Sequence, residues 1–511
     1  MSALRLVSRV AAIGLVAVAA CVRDARFPSE PAMRRTPQFA AVASSRVVTA
    51  LAPTGRHIVS FNGQVPSDFA QQVAALGGKV LWVSTGSGLA AVSGLRGNAP
   101  ALLGGKRGIQ AVDVDQGIPL DVPRMAVETA ADGGGVASNA NPAAAVRHAR
   151  QWNMRAVQAD VAWAHGFLGS SSVSIFMLDS GIDPHHADTE GRVDATRSVD
   201  LLGTFETQLD DGTTVPFTEA DTVQKYFPGH EVYTDLFFHG THTGATVSSN
   251  AVRAAGVTSG TMLVAVKVCG YINECPFTSI LFGVIYAANS GADVVNLSLG
   301  GAFTKAGNGR FVGLLNKVFN FARSRGVTVV VSAGNGAADL DHDGNTYWSF
   351  CNTPSVICVA ATGPTSDANA TNPNPNLARA GPFTDVDAPA YFTNFGRSVI
   401  NVAAPGGNSS FGPPLTPPAG RDAFVWAACS QTSLLINCAP LPTFIVGAQG
   451  TSMAAPHVTG AAALLVSILG RNPSQIKARI QQSADNVAGN GTTPFYGKGR
   501  LNVARAVGAI P

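Results

Sequence analysis

The hydrophobic positions of this chain follow two different rhythms. Between residues 56 and 115 the runs are short. Arg56-His57-Ile58-Val59-Ser60-Phe61 reads as a strand, and Asp68 to Leu76 carries apolar residues at helical spacing before Gly77-Gly78 ends it. Lys79 to Val83 and Gly88 to Val92 read as strands, Ala99 to Leu103 as a short helix, and Ile109 to Val114 alternates as a last strand. The order β-α-β-β-α-β predicts a small ferredoxin-like α+β domain.

From Gln151 onward the rhythm changes. The apolar runs Val173 to Leu178, Leu263 to Val268, Val294 to Leu299, Val327 to Val331 and Val356 to Ala360 alternate with helical segments. Runs without polar alternation belong to strands covered on both faces, so the larger unit is predicted to be α/β: a mainly parallel sheet with helices on both faces. Its chemistry is expected at the carboxyl ends of the strands. Val458 to Leu469, interrupted by Thr459, Gly460 and Ser467, reads as a buried core helix.

The segments between carry other signals. Residues 1–21 pair a basic start (Arg5, Arg9) with an uncharged apolar run, Ala11 to Ala20, too short to span a bilayer, and predict an export signal. Small residues precede Cys21, so two readings stand: a lipoprotein-type cut with Cys21 lipidated, or an ordinary signal cut. Residues 22–55 read as a linker, 56–115 as the small domain, 116–150 (Gly-, Ala-, Asn- and Pro-rich) as an exposed, cleavable linker, and 151–511 as the large domain.

Apart from Cys21, six cysteines fall into close pairs, Cys269/Cys275, Cys351/Cys358 and Cys429/Cys438. In an exported chain these predict three short-range disulfides; no pair has the CxxC spacing of a zinc site. Charged residues make up only 13% and the formal net charge is +3, with no basic stripe, which argues against a nucleic-acid partner.

Three stretches carry the chemistry. Asp179-Ser180-Gly181-Ile182 places a carboxylate on a tight turn after a buried strand. His239-Gly240-Thr241-His242 places an imidazole suited to general-base work at the start of a small-residue helix. Gly450-Thr451-Ser452-Met453-Ala454-Ala455-Pro456-His457-Val458 puts a hydroxyl at the start of an apolar helix, where backbone N–H groups converge. Taken singly, each is as well explained by capping or a turn. Together they give the order Asp…His…Ser, which is that of subtilisin and differs from chymotrypsin-type and α/β-hydrolase enzymes.

On these motifs, residues 151–508 resemble the subtilisin-like serine proteases (subtilases). The resemblance implies an exported serine endopeptidase with Asp179, His239 and Ser452 as its triad. It also implies Asn335, in Val329-Val330-Val331-Ser332-Ala333-Gly334-Asn335, as the oxyanion donor. Ser298-Leu299-Gly300 and Ala333-Gly334 would bind the substrate backbone and side chain. The 56–115 unit then resembles the family's inhibitory propeptide, removed by cleavage within 116–150. Partners are polypeptide substrates and the chain's own propeptide. A monomer is expected, with membrane contact only through a lipid on Cys21.

No cofactor is needed for this chemistry, but structural calcium is expected at two places. Asp188 aligns with a calcium-binding position of the family, with Thr189 where an apolar residue is usual. Asp339, Asp341 and Asp343 space their carboxylates like the start of an EF-hand, although Phe350 stands at the twelfth position. A solvated acidic turn explains either place equally. Asp179 and His239 stand 60 residues apart, longer than in short family members; the extra residues include 203–235, read as a surface loop. An esterase-type hydrolase needs Gly-x-Ser-x-Gly, which Ala454 breaks, and an inactive binding module is at odds with the full set of catalytic residue types.

Overall fold

A computed structural model describes residues 51–120, 124–127, 135–209, 211–364, 386–408, 423–438 and 443–511. The export signal, Cys21 and most of the 22–55 linker therefore lie outside the described residues.

The amino-terminal domain folds as its alternation predicts. Strands Ala52–Phe61, Lys79–Ser84, Leu89–Ser93 and Ile109–Pro119 form an antiparallel sheet, with helices Phe69–Ala74 and Ala99–Gly104 on one face. The last strand pairs the first, the first pairs the third and the third pairs the second, the ferredoxin-like order. One face of the sheet builds a private core, in which Val59, Phe61 and Val92 meet Phe69, Val73 and Leu103. The alternate residues, Ile58, Leu89, Ala91 and Ile118, point the other way and join the core of the large domain. The domain is therefore half-finished alone, since one face of its sheet is buried only by docking.

The large domain is built on a sheet of eight strands. The strand Ser174–Asp179 is central, parallel to Met262–Lys267 on one side and Val294–Leu297 on the other. Thr328–Ser332, Ile357–Gly363 and Val402–Pro405 continue the parallel order outward, and Ala388–Pro389 adds an antiparallel edge. Side chains of the central strand alternate between two cores. Phe176 and Leu178 pack with helices Phe277–Asn289 and Gly309–Ser324, while Ile175 and Met177 pack under helix Thr451–Leu469. That last helix is long and apolar enough to cross a bilayer, yet it is buried in this core, as read from its sequence.

The three expected disulfides are present, Cys269–Cys275, Cys351–Cys358 and Cys429–Cys438. Two segments carry more structure than their composition suggests. Residues 203–235, read as a surface loop, contain a hairpin (Thr204–Gln208 with Thr214–Thr218) and a helix, Glu219–Tyr226. In the stretch read as a linker, the strand Ile109–Pro119 runs on past residue 115, Arg124–Val127 is itself a strand, and residues 138–147 are bonded to the large domain through Asn250, Val252 and Arg253.

Candidate active site

Asp179 ends the central strand, Ser298 follows Val294–Leu297, and Ala333-Gly334-Asn335 follow Thr328–Ser332. All stand at the carboxyl edge of the parallel sheet, where the loops diverge and leave a crevice.

Asp179 and His239 meet there. His239 Nδ1 lies 2.7 Å from Asp179 Oδ1, and both side chains are fully buried. The carboxylate is oriented from several sides: Ser180 N–H donates to Oδ1 at 2.8 Å and Thr243 Oγ1 to Oδ2 at 3.1 Å. The approach needs a glycine beside the imidazole. A Cβ on Gly240 would stand 2.0 Å from the Gly181 carbonyl oxygen and 3.1 Å from the Asp179 Cβ. Gly181 itself has φ +109° and lies against the Tyr233 carbonyl, a position closed to any side chain.

A residue that sequence reasoning missed holds this turn together. Asp235 is fully buried, and burial raises its pKa above the usual carboxylate range. Its Oδ1 accepts from Ser180 Oγ (2.8 Å), Phe237 N (3.0 Å) and Phe238 N (2.9 Å). Its Oδ2 accepts from Thr241 N (2.8 Å) and Thr241 Oγ1 (2.7 Å). Phe238 takes φ +122°, a strained value for a bulky residue, directly before His239. Asp235 thus binds the orphan N–H groups at the helix start and fixes the strained peptide that delivers His239.

Ser452 stands in the first turn of helix Thr451–Leu469, which packs on the His239 helix. Pro456 lies inside this helix and has no N–H for the Ser452 carbonyl four residues back. Ser298 Oγ supplies the missing donor, at 2.8 Å. In return Ser452 Oγ donates to the Ser298 carbonyl at 2.9 Å. The pair ties the helix turn to the strand end.

Asn335 Oδ1 accepts from Thr451 N and Thr451 Oγ1, both at 2.8 Å, which sets the amide nitrogen as the side chain's donor. Leu299, Gly300, Gly334, Asn335 and Ser452 line one pocket. Ala333 is buried behind it, its carbonyl bonded to Asn394 Nδ2.

The chain's own amino-terminal part occupies this groove. Gly117, Ile118 and Pro119 run antiparallel to Glu274–Pro276, and Leu120 N donates to the Asn273 carbonyl at 3.4 Å. Ile118 packs where a Cβ on Gly301 would stand, and Leu120 lines the pocket beside Ser452 and Asn335. Further along the chain, Arg124–Val127 pairs antiparallel with Ile445–Gln449, the strand that leads into the Ser452 turn.

The expected calcium carboxylates are met by protein donors. Asp188 Oδ1 accepts from Val252 N and Arg253 N, both at 2.8 Å, and Oδ2 from Ala254 N at 3.0 Å. Asp341 accepts from Arg397 N and Ser398 N, Asp343 pairs with Lys305 (2.6 Å), and Asp339 with His342 (2.8 Å). These carboxylates do not converge into a shared cage, and one is already neutralised by a lysine. The set does not fit the six to eight oxygens that calcium takes. Asp188 is not a solvated turn either, since it is fully buried with its carboxylate held by three backbone N–H groups.

The comparisons with known proteins agree with this site. The model of the subtilase family matches residues 170–499. Thermitase of Thermoactinomyces vulgaris is 29% identical over 361 residues, covering 70% of this chain and 96% of thermitase. Subtilisin amylosacchariticus of Bacillus subtilis subsp. amylosacchariticus is 27% identical over 354 residues, covering 68% of this chain and 69% of that protein. In fold, the chain resembles the epidermin leader peptide processing serine protease of Staphylococcus aureus, with a TM-score of 0.63, 19% identity, and coverage of 89% of this chain and 98% of that one. The chain belongs to the subtilase family. It is a subtilisin-like serine endopeptidase, and its substrates are polypeptides.

Proposed function

We propose that the chain is made as an exported zymogen whose Asp179, His239 and Ser452 hydrolyse peptide bonds through an acyl-enzyme, and whose first substrate is itself. Ser452 Oγ turns from the Ser298 carbonyl toward His239 Nε2 and gives up its proton as it attacks the scissile carbonyl. Asp179 keeps the proton of the neutral imidazole on Nδ1 and stabilises the imidazolium that forms. Asn335 Nδ2 and the Ser452 N–H receive the oxyanion. His239 then protonates the departing amine, and water releases the acyl group by the same steps.

The observation that carries the zymogen reading is that Leu120 lines the pocket with Ser452 and Asn335, and that Arg124, four residues on, pairs with Gln449 in the strand leading into the Ser452 turn. An extended peptide added to strand edges is how a polypeptide substrate is held. The cut is therefore expected within residues 120–124, near the start of the 116–150 segment. The amino-terminal domain then stays docked as an inhibitor, held by its second apolar face and by Arg56 and Asp115. The hairpin of 203–235 takes part: Arg56 bonds the Leu202 and Thr204 carbonyls and lies over the Phe205 ring, while Arg96 pairs with Glu206. Export is supported by the three disulfides and by the signal-like first 21 residues. A lipid on Cys21 would remain with the released amino-terminal part.

Purified full-length Ser452→Ala should retain residues 56–115 in one uncut chain, whereas the wild type yields a mature amino terminus between residues 121 and 124. A Ser452→Ala protein that matures alone, or a wild-type terminus beyond residue 135, contradicts the reading.

A further inference from the structure

Two segments converge at the surface beside the catalytic turn. One continues from Gly181 and Ile182 to His185; the other precedes the His239 helix and carries His230 and Glu231. They are joined by the Ile182 N–H, which donates to the Tyr233 carbonyl at 3.1 Å, and the second segment is closed on itself by the Thr234 N–H, which donates to the Glu231 carbonyl at 2.9 Å. The backbone at His185 is held as well. Its N–H donates to Asp183 Oδ1 at 2.9 Å, Asp183 Oδ2 accepts from Gln431 N at 2.8 Å, and the next residue, His186, is bonded through Nε2 to the Phe444 carbonyl at 2.7 Å.

On this fixed scaffold three ligating side chains gather. One ligand atom from each of His185, His230 and Glu231 lies within 4.8 Å of the other two. His185 Nε2 and Glu231 Oε2 are 3.1 Å apart, and the two imidazole rings stand edge to face with centroids 5.0 Å apart. His230 Nδ1 is buried without a hydrogen-bond partner among the described residues. Ligands bound to zinc at about 2.0–2.1 Å in a tetrahedron are roughly 3.3 Å apart. The histidine–carboxylate pair already has that separation, and a movement of about 1.5 Å by the third ligand completes it. The His185 side chain is 49% exposed, so an ion has an entry path and the imidazole has freedom to turn.

We propose that His185, His230 and Glu231 form a surface site for a borderline divalent transition metal, with Zn²⁺ as the reference ion. Two imidazoles and one carboxylate suit zinc and its neighbours and are poor ligands for calcium or magnesium. The remaining positions fall to water. The ion takes no part in peptide hydrolysis; it cross-links the segment leaving Asp179 to the segment entering His239.

The test uses the full chain with Ser452→Ala, which keeps the protein in one form, stripped of metal by a chelator. Zn²⁺ titrated by calorimetry should bind saturably at one equivalent per chain and raise Tm. Co²⁺ should show the visible bands of a tetrahedral N/O site that added Zn²⁺ displaces and Ca²⁺ does not. His185→Ala and Glu231→Gln, both at exposed or half-exposed positions, should each weaken Zn²⁺ at least tenfold and remove the rise in Tm. His342→Ala, at the exposed His342–Asp339 pair, should leave both unchanged. Absence of saturable Zn²⁺ uptake overturns the proposal, as does uptake that survives in His185→Ala and Glu231→Gln or is lost in His342→Ala.

Discussion

Replacing Asp115 by alanine tests how the amino-terminal domain is held. Asp115 is fully buried, and burial raises its pKa. Across the interface its carboxylate accepts from Thr278 N and Thr278 Oγ1, both at 2.8 Å, in the first turn of helix Phe277–Asn289. Within its own domain it accepts from Thr54 Oγ1 at 2.6 Å. Arg56, also buried, spans the same interface and bonds Ser279 Oγ at 3.0 Å. Removing the carboxylate strands the Thr278 N–H and leaves the buried guanidinium with Asp200 but without the stronger charge of Asp115. Losing a charged acceptor from the two buried hydrogen bonds across the interface, with a donor left unpaired, costs about 2–5 kcal/mol. The desolvation that Asp115 itself bears argues for the lower part of that range, about 2–4 kcal/mol, or roughly 30- to 700-fold in the hold of the cleaved domain. The assay follows the cleaved complex: a fluorogenic peptide reports active sites as the domain leaves, and gel filtration at matched times reports the fraction still bound. Asp115→Ala should shorten the lag by the stated factor. Asp115→Asn, which keeps an acceptor for Thr278 N, should fall between the two and serves where the alanine variant folds poorly. Release within threefold of wild type in both variants would refute the argument that this buried carboxylate carries the docking.

Three further outcomes are expected. Asn335→Ala should lower kcat on a small peptide by about 10²–10³ with little change in KM, as loss of the oxyanion donor does in subtilisin; equal effects on both constants would count against the assignment. Gly240→Ala forces a Cβ to 2.0 Å from the Gly181 carbonyl oxygen and 3.1 Å from the Asp179 Cβ; it should cost about 3 kcal/mol and abolish activity, and a variant of normal Tm and activity contradicts the close approach. Burial pushes the pKa of His242 down to about 3 and of His457 to about 4, so both are neutral in the fold. Their stabilisation is fully present above about pH 6.5 and is lost as pH falls, by about 1.4 kcal/mol per unit for each. Chemical denaturation of Ser452→Ala at pH 7 and pH 4.5 should show a smaller acid loss in a further His457→Gln variant, and an unchanged loss would exclude His457 as a cause.

The parts legible in the sequence are those whose meaning is local. A strand buried on both faces must be apolar throughout, so Ser174–Asp179 and its parallel neighbours stand out as runs. The turns at Asp179, His239 and Ser452 each need small residues within one or two positions, so their signatures are contiguous. Asp235 could not be found this way. Its partners are mostly backbone N–H groups, and its side-chain partners, the hydroxyls of Ser180 and Thr241, already belong to the aspartate and histidine motifs, so neither marks Asp235. The hairpin at 204–218 was illegible for a related reason. Its polar, β-branched sequence suits a solvated loop, and only docking against Arg56 and Arg96 of another domain shows what it does. The spacing of Asp339, Asp341 and Asp343 is ambiguous for a different reason, because alternating carboxylates look the same whether a cation or a lysine and backbone amides satisfy them.

The proline in the serine motif joins the two kinds of information. Helix interiors exclude proline because it removes a hydrogen bond and leaves a buried carbonyl unsatisfied. At Pro456 the carbonyl affected is that of Ser452, and its replacement donor comes from Ser298, 154 residues earlier and at the end of a different strand. The same exchange gives the Ser452 hydroxyl a resting acceptor in the Ser298 carbonyl. The proline thus converts an intrahelical bond into one between the nucleophile's turn and the strand beside the substrate groove. A helix with alanine at 456 could close on itself and would leave Ser298 Oγ without this acceptor, loosening the register between the two elements that must be fixed for the hydroxyl to reach a bound carbonyl. On this argument the motif reads Pro456 because Ser298 is present, and neither residue is interpretable from its own surroundings in the chain.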